Sequence, residues 1–184
     1  MQWNRAGSTA GGTPRLISKF FTRGTMKTLV TYSSQTNNTR KLAEAVFQSL
    51  GGDKVILPMA EAGTLAPYDL IAVGFWLKAG QPDPATQAFL ATVQGKRLFF
   101  FATHGAAPGS PHAQKGMARA LELARAGEVV GTFSCQGEVA AAFLEIAAAK
   151  NPQPPWLADA PAAKGHPDQQ DIDALKGMIA RLGL

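Results

Sequence analysis

From Lys27 onward the chain alternates between strand-like and helix-like segments, and that alternation leaves few folds open to it. The segment "KTLVTY" is β-branched. After a polar loop, Leu42, Val46, Phe47 and Leu50 mark one face of a helix that Gly51-Gly52 closes. "KVILP" reads as a short strand, and "YDLIAVGF" is an unbroken apolar run of the kind found in a central strand covered on both faces. A helix follows Pro84, with Phe89, Leu90 and Val93 apolar, and "KRLFFFAT" is another buried strand. A further helix runs through Met117, Leu121 and Ala124, and "EVVGTFSC" is the last strand. Strands that alternate with helices pair in parallel, because each crossover must return over the sheet. The expectation is an α/β fold: a three-layer sandwich on a five-stranded parallel sheet.

The end of the chain divides in two. "NPQPPWLADAPAAKGHP" is a surface excursion in which five prolines argue against helix. At Asp168 it hands over to a final helix with Ile172, Leu175, Ile179 and Leu182 on one face and Asp171 and Asp173 in the first turn. With 184 residues and 46% hydrophobic composition, the chain suits one domain with a real core.

Charge separates residues 1–25 from the rest. They carry Arg5, Arg15, Lys19 and Arg23 and no acidic residue, and Met26 follows at once. We expect a disordered or non-native extension ahead of a domain spanning 26–184. A transit peptide and a basic tail that touches nucleic acid are the functional alternatives. The domain itself gives no reason to expect nucleic acid as a partner. A single cysteine, Cys135, excludes an internal disulfide and suits a reducing, cytoplasmic setting. No apolar run approaches the roughly 20 residues of a membrane helix.

The loop "TYSSQTNNTR" raises the functional question. In parallel sheets ligands collect beyond the carboxyl ends of strands, where this loop lies. A turn and a helix cap need two or three such polar residues, and the loop has more. It lacks the glycine pattern of a dinucleotide fold and the Gly-Lys-Ser/Thr of a triphosphatase. It offers hydroxyls from Ser33, Ser34, Thr36 and Thr39, amides from Gln35, Asn37 and Asn38, and the free N–H groups of a helix start. Such neutral donors suit one terminal phosphate.

Here the sequence resembles the flavodoxins, whose phosphate loop has the form S/T-x-T-x-N-T, matched by Ser34 to Thr39. Asn37 stands where the pattern usually has Gly, and Asn tolerates a left-handed backbone better than most residues. A closer likeness is to short flavodoxin-like proteins. It is carried by Gly74-Phe75-Trp76, by Thr103 to His112 with Gly105, Pro108 and Ser110 in place, by Cys135-Gln136-Gly137, and by "KGHPDQQDIDALKGM" as closing helix. The resemblance implies sheet order 2-1-3-4-5 and FMN as cofactor. It implies electron transfer between redox partner proteins, a reductase and an acceptor enzyme. It also implies flavin contacts from Phe75, Trp76, Leu77 and Lys78 and from Thr103, His104, Gly105, Ser110 and His112, with Trp76 against the isoalloxazine.

Plainer readings stand beside these. Trp76 is otherwise a half-buried loop aromatic. His104 and His112, eight apart in a loop, lack the spacing of a metal helix, and either contact the flavin rim, cap a helix or lie in solvent. Cys135 lacks the arginine of a phosphatase loop and reads as a packed thiol. Lys78 is a solvated lysine or approaches the flavin or an acidic partner. No general acid, nucleophile or metal ligand is expected. An NAD(P)H-dependent FMN or quinone reductase and a nonredox binding module remain the alternatives to a carrier.

Overall fold

The computed structural model describes residues 26–184, so the expectation for residues 1–25 lies outside the described residues. The order of elements is β1 (Lys27–Tyr32), α1 (Asn38–Ser49), β2 (Asp53–Pro58), β3 (Leu70–Lys78), β4 (Gln81–Pro82) and α2 (Pro84–Thr92). β5 (Arg97–His104), α3 (Pro111–Leu123), β6 (Glu128–Gln136), α4 (Ala141–Ala148) and α5 (Gln169–Leu182) complete it. The five long strands pair in the order β2-β1-β3-β5-β6, all in parallel. This is the expected order 2-1-3-4-5, counted without the short β4.

Side chains leave a strand on alternate faces, so each central strand feeds two cores. Leu29, Ile71, Val73, Phe75 and Phe100 pack toward Leu90 of α2 and Ala120 of α3. Val30, Ala72, Phe99 and Phe101 pack on the other face with Leu42 and Val46 of α1 and Leu175 and Ile179 of α5. Three layers result.

The terminal helix starts as its sequence demands. Asp168 caps the N–H groups of Gln170 and Asp171, and the Asp171 side chain accepts the N–H of Asp168 in return. Leu182, expected on the apolar face, is left exposed in the last turn.

Two elements differ from expectation. β3 runs on to Lys78 and turns back through Ala79 (φ 51°) and Gly80 (φ 73°) into β4, with Leu77 paired to Pro82. Positive φ at both turn residues matches the twist of a tight hairpin. The segment after β6 forms α4 and two short 3-10 turns, Pro155–Ala158 and Ala160–Ala163. The prolines exclude α-helix there, but not these turns.

Candidate functional site

A cleft of about 500 Å³ opens at the carboxyl ends of the central strands. Four segments line it: the loop from β1 to α1, the β3–β4 hairpin, the end of β5 with His112, and the chain from Gly137 to Trp156. Its volume lies within the range of small-molecule and cofactor sites.

The first wall is built from donors. Asn37 takes φ 62° and starts α1 without any side-chain cap, so the first N–H groups of the helix keep no partner of that kind. Ser34, Gln35, Thr36, Asn38 and Thr39 face the cleft. Ser34 Oγ is buried with no hydrogen-bond partner. Asn38 donates to the Glu138 carbonyl at 2.9 Å, and Thr39 Oγ1 meets Thr103 Oγ1 at the same distance. Two hydroxyls carry two hydrogens, and their mutual bond uses one. Gly137 lets the two walls approach: a Cβ there would lie 2.9 Å from Asn38 Nδ2 and 3.1 Å from Thr103 Cβ.

The second and third walls bring Trp76, Leu77, Lys78 and Ala79 together with Thr103, His104, Gly105 and His112. His104 is 4% exposed, and its Nδ1 lies 2.9 Å from the Ala106 carbonyl. A carbonyl only accepts, so the ring proton sits on Nδ1 and Nε2 carries the lone pair, buried and without a partner. Burial holds the His104 pKa below its ordinary value, and His112 nearby adds to this; the Ala106 bond and Asp159 oppose it. His112 is held down too, by burial and then by Lys115.

The family model of the flavodoxin domain matches residues 29–180. This chain belongs to the flavodoxin-domain family. It is 26% identical over 159 residues to the flavodoxin-like domain-containing protein BilS of Clostridioides difficile (strain CD3), covering 80% of this chain and 90% of the relative. The protein of the same name from Clostridium symbiosum (strain WAL-14163) is 28% identical over 180 residues, covering 84% and 94%. Among solved structures, oxidised flavodoxin 2 from Bacillus cereus superposes with a TM-score of 0.56 at 18% identity, covering 85% of this chain and 97% of that one. A flavodoxin from the domain Archaea gives 0.54 at 16%, covering 86% and 100%. The last two show a shared fold.

Some of the residues singled out in this flavodoxin-domain protein stand apart from the cleft. Phe75 is fully buried, its ring 5.8 Å from that of Phe100, because strand alternation sends it to the face opposite Trp76. Ser33 donates to Asp83 Oδ1 at 2.9 Å and so ties the loop to the start of α2. Ser110 caps α3 by accepting from the Ala113 N–H, and Asn37 shapes the loop through its backbone.

The fourth wall was not legible. Gly137, Glu138, Val139, Phe143, Ile146 and Trp156 belong to it. The signal was present in "EVAAAFLEIAAAK", in which only Glu138, Glu145 and Lys150 are charged. Cys135 is buried below, and burial, reinforced by Asp171 and Asp168, pushes its pKa far up, so it offers no thiolate. His166, Asp168 and Asp171 bring ligand-type atoms within 4.8 Å of one another, but both carboxylates are taken up by the start of α5. Among the described residues no helix is long and apolar enough to cross a membrane.

Proposed function

We propose that this flavodoxin-domain protein binds FMN in the cleft and carries electrons between a reductase and an acceptor enzyme. One observation supports the reading above others. Ser34 Oγ is buried without a partner, just ahead of a helix whose start has no side-chain cap, and both belong to a cleft with an indole in its wall. Orphaned neutral donors next to a helix N-terminus are what a phosphate monoester satisfies.

When bound, FMN supplies the redox chemistry. The chain's own residues have other tasks. Ser34, Thr36, Asn38, the spare hydrogen of the Thr39–Thr103 pair and the first N–H groups of α1 hold the phosphate. Trp76 offers apolar surface to the ring and keeps water from it, whereas the Leu77 side chain packs with the Phe75 face toward Gly116 of α3. His104 presents a fixed acceptor, since its neutral ring holds its proton on Nδ1. Among the described residues that line the cleft, Lys78 and Lys150 set positive charge against the carboxylate of Glu138, a balance that suits an acidic partner surface.

The absorption spectrum of the purified protein tests this reading. Bands of oxidised flavin that persist when NAD(P)H alone is added are the expected result. Rapid bleaching by NAD(P)H would make the protein a reductase in its own right. A colourless protein that takes up no FMN would make it a nonredox binding module.

A further inference from the structure

Helix α4 carries one charged residue, Glu145, among seven apolar ones, and of its residues only Ala147 is buried. Phe143 and Ile146 are 48% and 59% exposed. Among the described residues, the other exposed large hydrophobics, Leu121 and Leu182, lie outside the cleft on α3 and α5, whereas Phe143 and Ile146 line it. Apolar surface of this kind on a monomer marks a place where something binds.

The segment is nonetheless firmly held. Asp159 accepts the Ala107 N–H at 2.8 Å and, through its carbonyl, the Gln136 side-chain amide at 3.3 Å. Gly105 admits it closely: a Cβ there would lie 2.7 Å from Val139 Cγ2 and 3.2 Å from Trp156 Cε3. Trp156 is thereby set in the same wall as Phe143 and Ile146.

The occupant follows from the cavity. The patch is continuous, within one cleft, with the donor-rich loop that ends in Ser34 and Thr39, so whatever fills the cleft covers both. We infer that Phe143, Ile146 and Trp156 are a second ring-binding wall, supplied by the chain after the last strand, which covers the flavin ring together with Trp76. This rests on the FMN reading and divides recognition in two: the loop after β1 reads the phosphate, and the α4 segment reads the ring.

The test compares FMN, riboflavin and lumichrome, the ring without its ribityl chain, by flavin fluorescence titration. Phe143→Ser/Ile146→Ser should weaken all three by a common factor of at least fivefold, while Thr36→Ala weakens FMN alone. Ile146→Ser by itself, at the most exposed position, should show part of the same common loss. It keeps the test valid if the double variant folds poorly. Unchanged affinity for all three ligands in Ile146→Ser and the double variant would overturn the inference and leave the patch to a protein partner. A common loss in the wall variants with no effect of Thr36→Ala on FMN would leave the wall standing and remove the phosphate reading instead.

Discussion

Thr39 Oγ1 and Thr103 Oγ1 meet at 2.9 Å, both side chains buried, and so fasten the first turn of α1 to the end of β5. Thr103→Val would leave the Thr39 hydroxyl buried and unpaired, at a cost of about 1–3 kcal/mol. Urea unfolding should show that loss, and the double variant Thr39→Val/Thr103→Val should be less destabilised than the two single losses summed. Strict additivity would mean that the bond contributes nothing of its own.

The neutrality of His104 has a pH signature. Its unfolded ring titrates near 6.5, whereas burial lowers the folded pKa. Below 6.5 the unfolded chain binds a proton that the native state refuses. The stability this group contributes is therefore complete above that pH. It falls as pH drops through 6.5 toward the folded pKa, where the loss levels off. NMR titration of the ring protons should place the His104 midpoint below 6.5, and His104→Gln should flatten the corresponding slope in unfolding free energy. An ordinary midpoint would contradict the buried, neutral ring.

The sequence was readable where local chemistry and tertiary need agree. "YDLIAVGF" read as a central strand and forms most of β3, and Asp168 with Asp171 announced the last helix through their capping chemistry. Hydroxyls and amides in excess of a cap marked the loop after β1, which lines the cleft. Two places were opaque for physical reasons. The segment after Phe75 was expected to be loop, and nothing local foretold that β3 runs on to Lys78 and that Ala79 takes a positive φ and closes a hairpin. "AAAFLEIAAAK" showed no amphipathic face because its apolar side chains do not turn toward the protein core. The resemblance implied a flavin contact from Phe75, and a period of two turns its side chain into the core against Phe100, on the face opposite Trp76.

Gly105 sits where the α4 segment crosses the loop after β5. Gly105→Ala sets a methyl 2.7 Å from Val139 Cγ2, and overpacking of this kind costs about 1–3 kcal/mol. Thermal unfolding should show the loss, riboflavin affinity should fall with it, and Gly105→Ala/Val139→Ala should recover much of both. No recovery would mean that the contact with Trp156, 3.2 Å from the same methyl, governs the site.

Lys78 is exposed on the rim of the cleft. At an effective dielectric of 20 and roughly 10 Å, one charge alters the energy of an added electron by about 1–2 kcal/mol. That corresponds to roughly 50–100 mV for a one-electron step. Lys78→Glu changes the charge by two and should lower the potential for the second electron on bound flavin by up to about 100–200 mV at low salt, less as salt screens it. Redox titration at two ionic strengths checks this. Indifference to position 78 would leave solvent exposure and hydrogen bonding in control of the potential.

Calorimetric titration of FMN against riboflavin, on the wild type and on Ser34→Ala/Thr36→Ala, tests the central claim most directly. Hydrogen bonds to a charged group contribute about 1.5–3 kcal/mol each, so the wild type should hold FMN at least about tenfold more tightly than riboflavin. The double variant should lose most of that preference while its riboflavin affinity stays nearly unchanged. Equal affinity of the wild type for the two ligands, or a preference for FMN that survives the loss of both hydroxyls, would contradict the assignment of the loop after β1 to a phosphate.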